Sequence, residues 1–168
     1  RQELAHLLVL LSDPRKEDIV LDPFAASGAI VLERVQTFLY TKMYACDIKE
    51  DLVEDLKRKT KWGQQKITVE KRDALNLDSL EDNSINKIIT DPPWGVYEKP
   101  QEDMADFYRK MLAEFRRILN TDGTIVILIG RDSGFDKVLS ESRFNQIQKI
   151  DILVSGQKAS VYKLVTKK

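Results

Sequence analysis

The feature that most limits the fold is an apolar run in the C-terminal half of the chain. Thr124–Ile129 reads TIVILI, without a charged residue and without the polar alternation of a half-exposed strand. Such a run predicts a central β-strand that is buried on both faces. Strands of this kind belong to sheets that carry helices on both sides, so the run favours an α/β domain.

Strand-like and helix-like segments alternate along the rest of the chain, which predicts a parallel sheet covered on both faces. The predicted strands are Asp18–Asp22, Met43–Ile48, Lys66–Glu70, Ile85–Thr90, Thr124–Ile129, Ile147–Leu153 and Ala159–Val165. The predicted helices are Leu4–Leu11, Ser27–Phe38, Asp51–Lys61 and Met104–Leu119, the last of which ends at a turn over Asn120–Gly123. The two closing strands have no long helix between them, so we expect an antiparallel hairpin at one sheet edge. The predicted fold is therefore α/β and Rossmann-like, with a seven-stranded, mostly parallel sheet.

The length of 168 residues suits one domain, and no linker, repeat or low-complexity segment divides it. We therefore expect a single domain over residues 1–168. The sequence begins at Arg1 rather than at Met, and we expect that residues precede it.

The formal net charge is zero, with 27 basic and 27 acidic residues. A nucleic-acid-binding domain that works alone usually carries a basic face. The candidate basic stretches are Lys57-Arg58-Lys59 with Lys61, Lys71-Arg72 and Arg116-Arg117, each of which would also suit a solvated surface. If the substrate is a nucleic acid, we expect another domain or a partner to deliver it. The oligomeric state is left open.

Composition excludes several other classes of site. Cys46 is the only cysteine and His6 the only histidine, so an internal disulfide is impossible and no metal site is expected. His6 lies in an amphipathic segment, where a surface or packing role is expected. The sequence contains no apolar run of membrane-spanning length and no secretory signal pattern. We expect a cytoplasmic protein without a membrane partner.

In open α/β sheets, ligands bind beyond the carboxyl ends of the strands, so the residues at those ends are the first candidates for a site. The first strand leads into Asp22-Pro23-Phe24-Ala25-Ala26-Ser27-Gly28, a turn of small residues that opens a helix. Small side chains let a ligand lie against the backbone. The segment lacks the G-x-G-x-x-G dinucleotide pattern, and a tight turn without a ligand would also explain it.

Two further strands end beside acidic residues. Asp47 follows Gly28 by nineteen residues, where a carboxylate can accept hydrogen bonds from ribose hydroxyls, although it would also suit a helix cap. Asp73, in Arg72-Asp73-Ala74-Leu75, could accept a hydrogen bond from an adenine amino group, or it could be a turn residue.

The fourth strand ends in Asp91-Pro92-Pro93-Trp94-Gly95. The prolines fix the backbone and remove two N–H donors, which leaves carbonyl oxygens as acceptors at an open site. Asp91 adds a carboxylate, and Trp94 adds a flat surface on which a base could stack. A rigid loop that only caps the sheet is the alternative interpretation.

Taken together, these segments resemble a known group. Asp91-Pro92-Pro93-Trp94 looks like the (D/N)-P-P-(Y/F/W) motif of amino-methyltransferases. Asp22–Gly28 resembles the D-P-F-C-G-S-G-T cofactor loop of the RNA guanine-N2-methyltransferases that often carry a THUMP domain. The resemblance covers nearly the whole chain, and it implies a Rossmann-like methyltransferase domain that uses S-adenosylmethionine.

The resemblance also implies roles for individual residues. Asp91, Pro92, Pro93 and Trp94 would hold the target base, and the exocyclic amine would be methylated. The residues that would hold the cofactor are Asp22, Pro23, Phe24, Ala25, Ser27 and Gly28 on its methionine side, Asp47 at the ribose, and Ile48, Asp73 and Ala74 around the adenine. Two positions depart from the pattern, since Ala26 replaces the usual glycine and Ala29 a frequent threonine. A methyl group at position 26 would narrow the space beside the cofactor and could weaken activity.

The expected activity is methylation of the guanine 2-amino group in tRNA or rRNA. An adenine amino-methyltransferase on DNA or RNA is the first alternative, because D-P-P-W occurs there as well. Related N-P-P-Y enzymes act on protein glutamine. A non-catalytic scaffold that binds the cofactor, or nothing, is a further alternative, and Ala26 favours it. A nicotinamide dehydrogenase fits poorly, since the first loop contains a single glycine.

Overall fold

The computed structural model describes residues 2–63, 65–95 and 103–167. The described strands are β1 (Ile19–Asp22), β2 (Lys42–Asp47), β3 (Ile67–Lys71), β4 (Ile85–Thr90), β5 (Leu119–Gly130), β6 (Phe144–Val154) and β7 (Gln157–Thr166). The described α-helices are α1 (Gln2–Leu11), α2 (Ala29–Thr37), α3 (Glu50–Lys59), α4 (Met104–Ile118) and α5 (Phe135–Glu141), and a 3-10 turn covers Lys61–Gly63.

All seven strands form one sheet in the order β3-β2-β1-β4-β5-β7-β6. The first five strands are parallel, and β7 runs antiparallel to both β5 and β6. The predicted fold class is therefore confirmed, including the antiparallel hairpin at one edge. The strand order reverses at β1, and β1 and β4 lie side by side in the middle of the sheet. This is the place where a ligand site is expected in such a fold.

Apolar layers cover both faces of the sheet. One layer contains the buried residues of α4 and α5, and the other contains those of α1, α2 and α3. The central run in β5 supplies both layers, because Ile125 and Ile127 face the first while Val126 and Leu128 face the second. All four are fully buried, as the sequence predicted.

The helix α4 is fixed by one apolar face and by a capping side chain. Its apolar residues recur every three or four positions, so one face of the helix is buried against the sheet. Its N-cap is Asp103, whose carboxylate accepts a hydrogen bond from the backbone N–H of Ala105 at 3.0 Å. Residues 96–102, which precede this cap, lie outside the described residues.

The structure differs from the predicted elements in three places. The expected turn over Asn120–Gly123 is wrong, because β5 already begins at Leu119 and the extra residues are absorbed by a register shift against β4. The seven-residue helix α5 was not predicted, and it is held by three buried residues, Phe135, Val138 and Leu139. The second predicted helix begins at Ala29 instead of Ser27, since Gly28 has the left-handed φ of 85°.

A buried ion pair ties α2 to the turn before β1. The Arg34 guanidinium donates to the Asp18 carboxylate at 3.2 Å, and both side chains are almost fully buried. The same guanidinium donates to the backbone carbonyls of Arg15, Phe38 and Leu39. Burial lowers the pKa of Arg34, while the Asp18 charge opposes that shift.

In the part of the chain that the structure describes, none of the helices combines the length and the apolar character that a membrane span requires.

Candidate active site

The strand ends that carry the predicted residues are joined to one another by backbone hydrogen bonds. The Ala25 N–H, in the loop after β1, donates to the Cys46 carbonyl of β2 at 2.8 Å. The Arg72 N–H, after β3, donates to the Asp47 carbonyl at 3.0 Å. The sheet therefore places the ends of β1, β2 and β3 at one edge, which is the edge that the sequence analysis selected.

The loop over residues 23–28 depends on left-handed backbone at two positions. Gly28 has φ 85°, and a Cβ built on it would lie 2.3 Å from the Cδ1 atom of Leu56 on α3. Ala26 has φ 44°, a conformation that glycine adopts at much lower cost than alanine. The Ala26 side chain is exposed, so its main effect within the protein is on backbone conformation rather than on packing.

The Asp47 carboxylate holds this loop. Its Oδ2 atom accepts a hydrogen bond from the Ala26 N–H at 2.9 Å, and its Oδ1 atom accepts from the Lys49 N–H at 2.9 Å. Each carboxylate oxygen retains further lone pairs for a second donor. The predicted ribose role of Asp47 remains a prediction, and the structure adds a second role in shaping the loop beside it.

Asp22 ends β1 and is 1% exposed. Its Oδ1 atom accepts from the Thr90 hydroxyl at 2.8 Å and from the Phe24 N–H at 3.2 Å. Burial raises the pKa of Asp22 from 3.8 to about 7, against these two hydrogen bonds, and the nearby charges of Asp91 and Asp47 raise it further. Three carboxylates thus lie at the same edge of the sheet.

The residues assigned to the adenine differ in their exposure. Ile48 is 62% exposed and offers an apolar surface next to Asp47. Asp73 is exposed and accepts from the Leu75 N–H at 2.9 Å, which is the turn role that was the alternative for it. Ala74 is 3% exposed and belongs to the core, so the Ala74 side chain offers little contact area.

The remaining loop residues contact the protein core in different degrees. Phe24 is partly buried, and its ring packs against Phe107 of α4 with a centroid distance of 5.9 Å. Pro23 and Ala25 are buried, and Ser27 is exposed. The Ser27 carbonyl accepts from the Lys59 ammonium of α3 at 3.2 Å, so α3 supports the loop from outside.

Trp94 is engaged within the protein rather than projecting freely from it. Its indole N–H lies 2.9 Å from the Asp91 Oδ1 atom and 3.2 Å from the Leu128 carbonyl. The indole ring lies against Gly130 at the end of β5, where an added Cβ would approach it to 3.1 Å. The tryptophan therefore fixes the Asp91 carboxylate, and its predicted stacking on a base remains a prediction.

A second side chain fixes the same loop from α4. The Tyr108 hydroxyl donates to the Pro93 carbonyl at 3.1 Å. Burial raises the pKa of Tyr108 to about 12, so the hydroxyl keeps its proton at neutral pH and remains a donor. The Pro93 carbonyl is thereby used within the protein, which makes the Pro92 carbonyl the better candidate for a substrate contact.

Three residues of this site were missed by the sequence analysis. Thr90 has a signal in the sequence, because it is a polar residue at the end of the buried strand β4. Tyr108 and Gly130 have none that stands out, since a tyrosine on an apolar helix face and a glycine at a strand end are both common. Their roles depend on the packing of α4 and β5 against the Asp91 loop.

Cys46 and His6 carry potentially reactive side chains, but both are placed outside the candidate site chemistry. Burial raises the pKa of Cys46 to about 12, so its thiol stays protonated at neutral pH. The His6 Nδ1 atom lies 2.7 Å from the Glu33 carboxylate, in the contact between α1 and α2. Among residues 2–63, 65–95 and 103–167, no three histidine, cysteine or acidic side chains are grouped as metal ligands would be.

Comparison with known proteins identifies the family. Residues 1–159 match the family described as UPF0020, RMKL-like methyltransferase domain. The chain belongs to this family. It is also 27% identical, over 83% of its length, to a probable tRNA (guanine(10)-N2)-dimethyltransferase of Methanothermococcus thermolithotrophicus, of which it covers 86%.

Other relatives are longer than the chain. The human tRNA (guanine(6)-N(2))-methyltransferase THUMP3 is 28% identical over 98% of the chain, which spans 36% of that protein. The crystal structure of TrmN from Thermus thermophilus superimposes with a TM-score of 0.85 and 25% identity, covering 98% of this chain and 48% of TrmN. Family and fold confirm the predicted methyltransferase domain and its cofactor, S-adenosylmethionine.

The residues at the sheet edge fit the chemistry of this cofactor. A carboxylate at the end of β2 can accept from ribose hydroxyls, and the exposed Ile48 beside it can cover an aromatic ring. The carboxylates of Asp47 and Asp91 at this edge would attract a cationic sulfonium group. The assignment of individual contacts to these residues remains a prediction.

Proposed function

We propose that this domain methylates the 2-amino group of a guanine in RNA, with tRNA or rRNA as the substrate. The observation that carries the proposal is the rigid Asp91-Pro92-Pro93-Trp94 loop beside the predicted cofactor loop, with its carboxylate held by Trp94 and its backbone held by Tyr108. The choice of guanine is supported by relatives named as guanine-N2-methyltransferases of tRNA and of U6 snRNA.

The predicted role of the loop is to orient the amine. An exocyclic amine is a poor nucleophile, because its lone pair is delocalised into the ring. In the proposed role, the Asp91 carboxylate and the Pro92 carbonyl each accept one N–H of that amine. Two such acceptors favour a pyramidal nitrogen with its lone pair directed at the methyl donor. S-Adenosylmethionine, when bound, supplies the activated methyl group.

Positioning and electrostatics then supply most of the acceleration. The amine becomes strongly acidic once it is methylated, so the Asp91 carboxylate suffices to hold the departing proton. The proposed reaction therefore needs no histidine base, and His6 lies in the contact between α1 and α2. Trp94 keeps the Asp91 carboxylate aligned throughout and offers its remaining exposed surface to the base.

Delivery of the RNA is proposed to depend on another domain or on a partner. The formal net charge of zero supports this, because binding of a polyanion usually requires a basic face. A cytoplasmic location is part of the same proposal. A target base inside a duplex must also leave its stack before it reaches Asp91.

The proposal is tested by mass spectrometry of nucleosides after incubation with S-adenosylmethionine and tRNA or rRNA transcripts. We expect N2-methylguanosine, and we expect none with Asp91→Ala. A product of N6-methyladenosine would overturn the choice of guanine in favour of the adenine alternative. No product, together with no thermal stabilisation by S-adenosylmethionine, would favour the scaffold alternative, which the left-handed Ala26 continues to support.

A further inference from the structure

A groove of about 470 Å³ lies between α4 and α5, outside the site described above. Three arginines line it, namely Arg109 and Arg116 of α4 and Arg143, which follows α5. Apolar side chains, including Leu112 and Val138, also line it.

The hydrogen-bonding capacity of the arginines in the groove is only partly used within the protein. The Arg116 Nε atom is buried and has no hydrogen-bond partner. Arg109 pairs with Asp106 at 2.6 Å, and its Nε atom lies 3.8 Å from the Glu141 carboxylate, with both side chains about half exposed. Exposed pairs of this kind contribute little to stability, so an anionic ligand can replace Glu141 at low cost.

We propose that this groove binds the phosphate backbone of the RNA substrate. The guanidinium group presents a planar set of donors that matches two phosphate oxygens. Arg109 and Arg116 are seven residues apart on one helix face, which corresponds to about 10 Å along the axis and allows contact with more than one phosphate. The inference rests on the proposed function, since it takes the substrate to be RNA.

The position of the groove supports a polynucleotide over an acidic peptide. Arg109 directly follows Tyr108, whose hydroxyl holds the Asp91-Pro92-Pro93-Trp94 loop. Tyr108 and Arg109 both lie in the N-terminal half of α4, so a strand with one base at that loop can extend along α4, and phosphates several nucleotides from that base reach the groove. Under the proposed function the group held at this loop is a base, so the chain that continues from it is a polynucleotide.

The test compares the full chain with the double variant Arg116→Ala/Arg143→Ala. The matched control is Lys16→Ala/Lys66→Ala, which removes two exposed charges just before β1 and β3. Binding of a fluorescent tRNA transcript is measured over a series of salt concentrations, without S-adenosylmethionine. We expect about tenfold weaker binding by the groove variant, and a salt dependence reduced by about one to two ion equivalents. The control is expected to stay within about twofold of the unaltered protein.

Glu141→Gln provides a variant with the opposite expected effect. It removes the carboxylate that competes with phosphate at Arg109, so RNA binding is expected to become about two- to threefold tighter. Unchanged RNA affinity and salt dependence in both groove variants would overturn the inference. So would a result in which polyglutamate competes for the groove and RNA does not.

The experiments distinguish an error in the RNA-binding role of the groove from an error in the proposed guanine methylation. If the unaltered protein methylates guanine in RNA but the groove variants bind RNA normally, only the groove is excluded. If arginine-dependent RNA binding is seen but neither RNA nor free nucleoside is methylated, the proposed function is wrong and the groove stands.

Discussion

The indole N–H of Trp94 and the Oδ1 atom of Asp91 are 2.9 Å apart, so the tryptophan of the motif holds the carboxylate of the motif. The Leu128 carbonyl shares the same N–H at 3.2 Å, which ties both residues to the central strand β5. Trp94 therefore restricts the Asp91 carboxylate, and β5 in turn restricts Trp94.

Asp91→Ala is predicted to abolish methyl transfer while leaving cofactor affinity within about twofold. The substitution removes the carboxylate that would accept from the amine, and loss of one such electrostatic contact in a transition state costs about 100- to 1000-fold. Single-turnover kinetics measures the rate, and calorimetry measures S-adenosylmethionine binding. Asp122→Asn, an exposed change at the far end of the sheet, serves as the control. Full turnover by Asp91→Ala would contradict the catalytic role of Asp91.

Trp94→Phe separates the two roles of the tryptophan, because phenylalanine keeps a stacking ring and loses the N–H. We expect kcat to fall about tenfold with KM for RNA nearly unchanged, since a hydrogen bond to a charged group contributes about 1.5–3 kcal/mol. Steady-state kinetics on a tRNA transcript gives both values. A raised KM with unchanged kcat would instead assign Trp94 to stacking alone.

Asp47→Ala is predicted to weaken S-adenosylmethionine binding at least about tenfold, because it removes the acceptor of the Ala26 and Lys49 N–H groups and the proposed ribose contact. Calorimetry measures the affinity. Asp47→Asn retains one carbonyl acceptor and is expected to lose less. Equal affinity for Asp47→Ala and the unaltered protein would count against the ribose role.

Asp22 predicts a dependence of stability on pH. The pKa is raised in the folded state to about 7, so between pH 4 and 7 the folded protein holds a proton that the unfolded chain has released. The contribution of Asp22 to the free energy of unfolding therefore falls as pH rises through this window, by up to roughly 4 kcal/mol.

Asp22→Asn keeps an oxygen acceptor for Thr90 and removes the titration. Urea unfolding at several pH values should show a flatter profile for this variant, with its largest relative gain above pH 7. Thr90→Val is the companion change and should lower stability at every pH, because it leaves the Asp22 Oδ1 atom without its buried hydroxyl donor. A steep profile that survives Asp22→Asn would assign the titration to another group.

Asp18→Ala is predicted to lower the free energy of unfolding by about 3–5 kcal/mol, since it leaves the Arg34 guanidinium buried without its carboxylate. Urea denaturation measures the change. Asp13→Ala is the control, because Asp13 pairs with Lys163 while its own side chain is mostly exposed. A loss below about 1 kcal/mol would show that the backbone carbonyls around Arg34 suffice.

The fold could be predicted from the sequence because its main signals are local. The apolar run of β5 and the alternation of elements specify the layers, and the polar residues at the strand ends indicate the site edge. The prediction of a turn over Asn120–Gly123 was wrong because a register shift against β4 overrides the local turn preference of glycine. The helix α5 was not predicted because its seven residues are held by tertiary contacts and carry no long periodic pattern.

The place of the candidate site in the fold was predictable from the sequence, and the contacts of its residues were less so. Asp22, Asp47 and Asp91 were recognised as carboxylates at strand ends, but several of the hydrogen bonds around them join distant parts of the chain. Thr90 is 68 positions from Asp22, and Leu128 is 34 positions from Trp94. Such pairings depend on the packing of whole elements, which no local spacing encodes.

Ala26 shows what this loop requires from its sequence. The residue keeps the left-handed φ of 44° without being glycine, and the Asp47 carboxylate holds its N–H in that geometry. The left-handed backbone at position 26 therefore does not require glycine in this chain. A motif search that insists on glycine at this position would overlook chains whose loop is built in the same way, whereas a search that pairs the loop with an acidic residue at the end of the next strand would recover them.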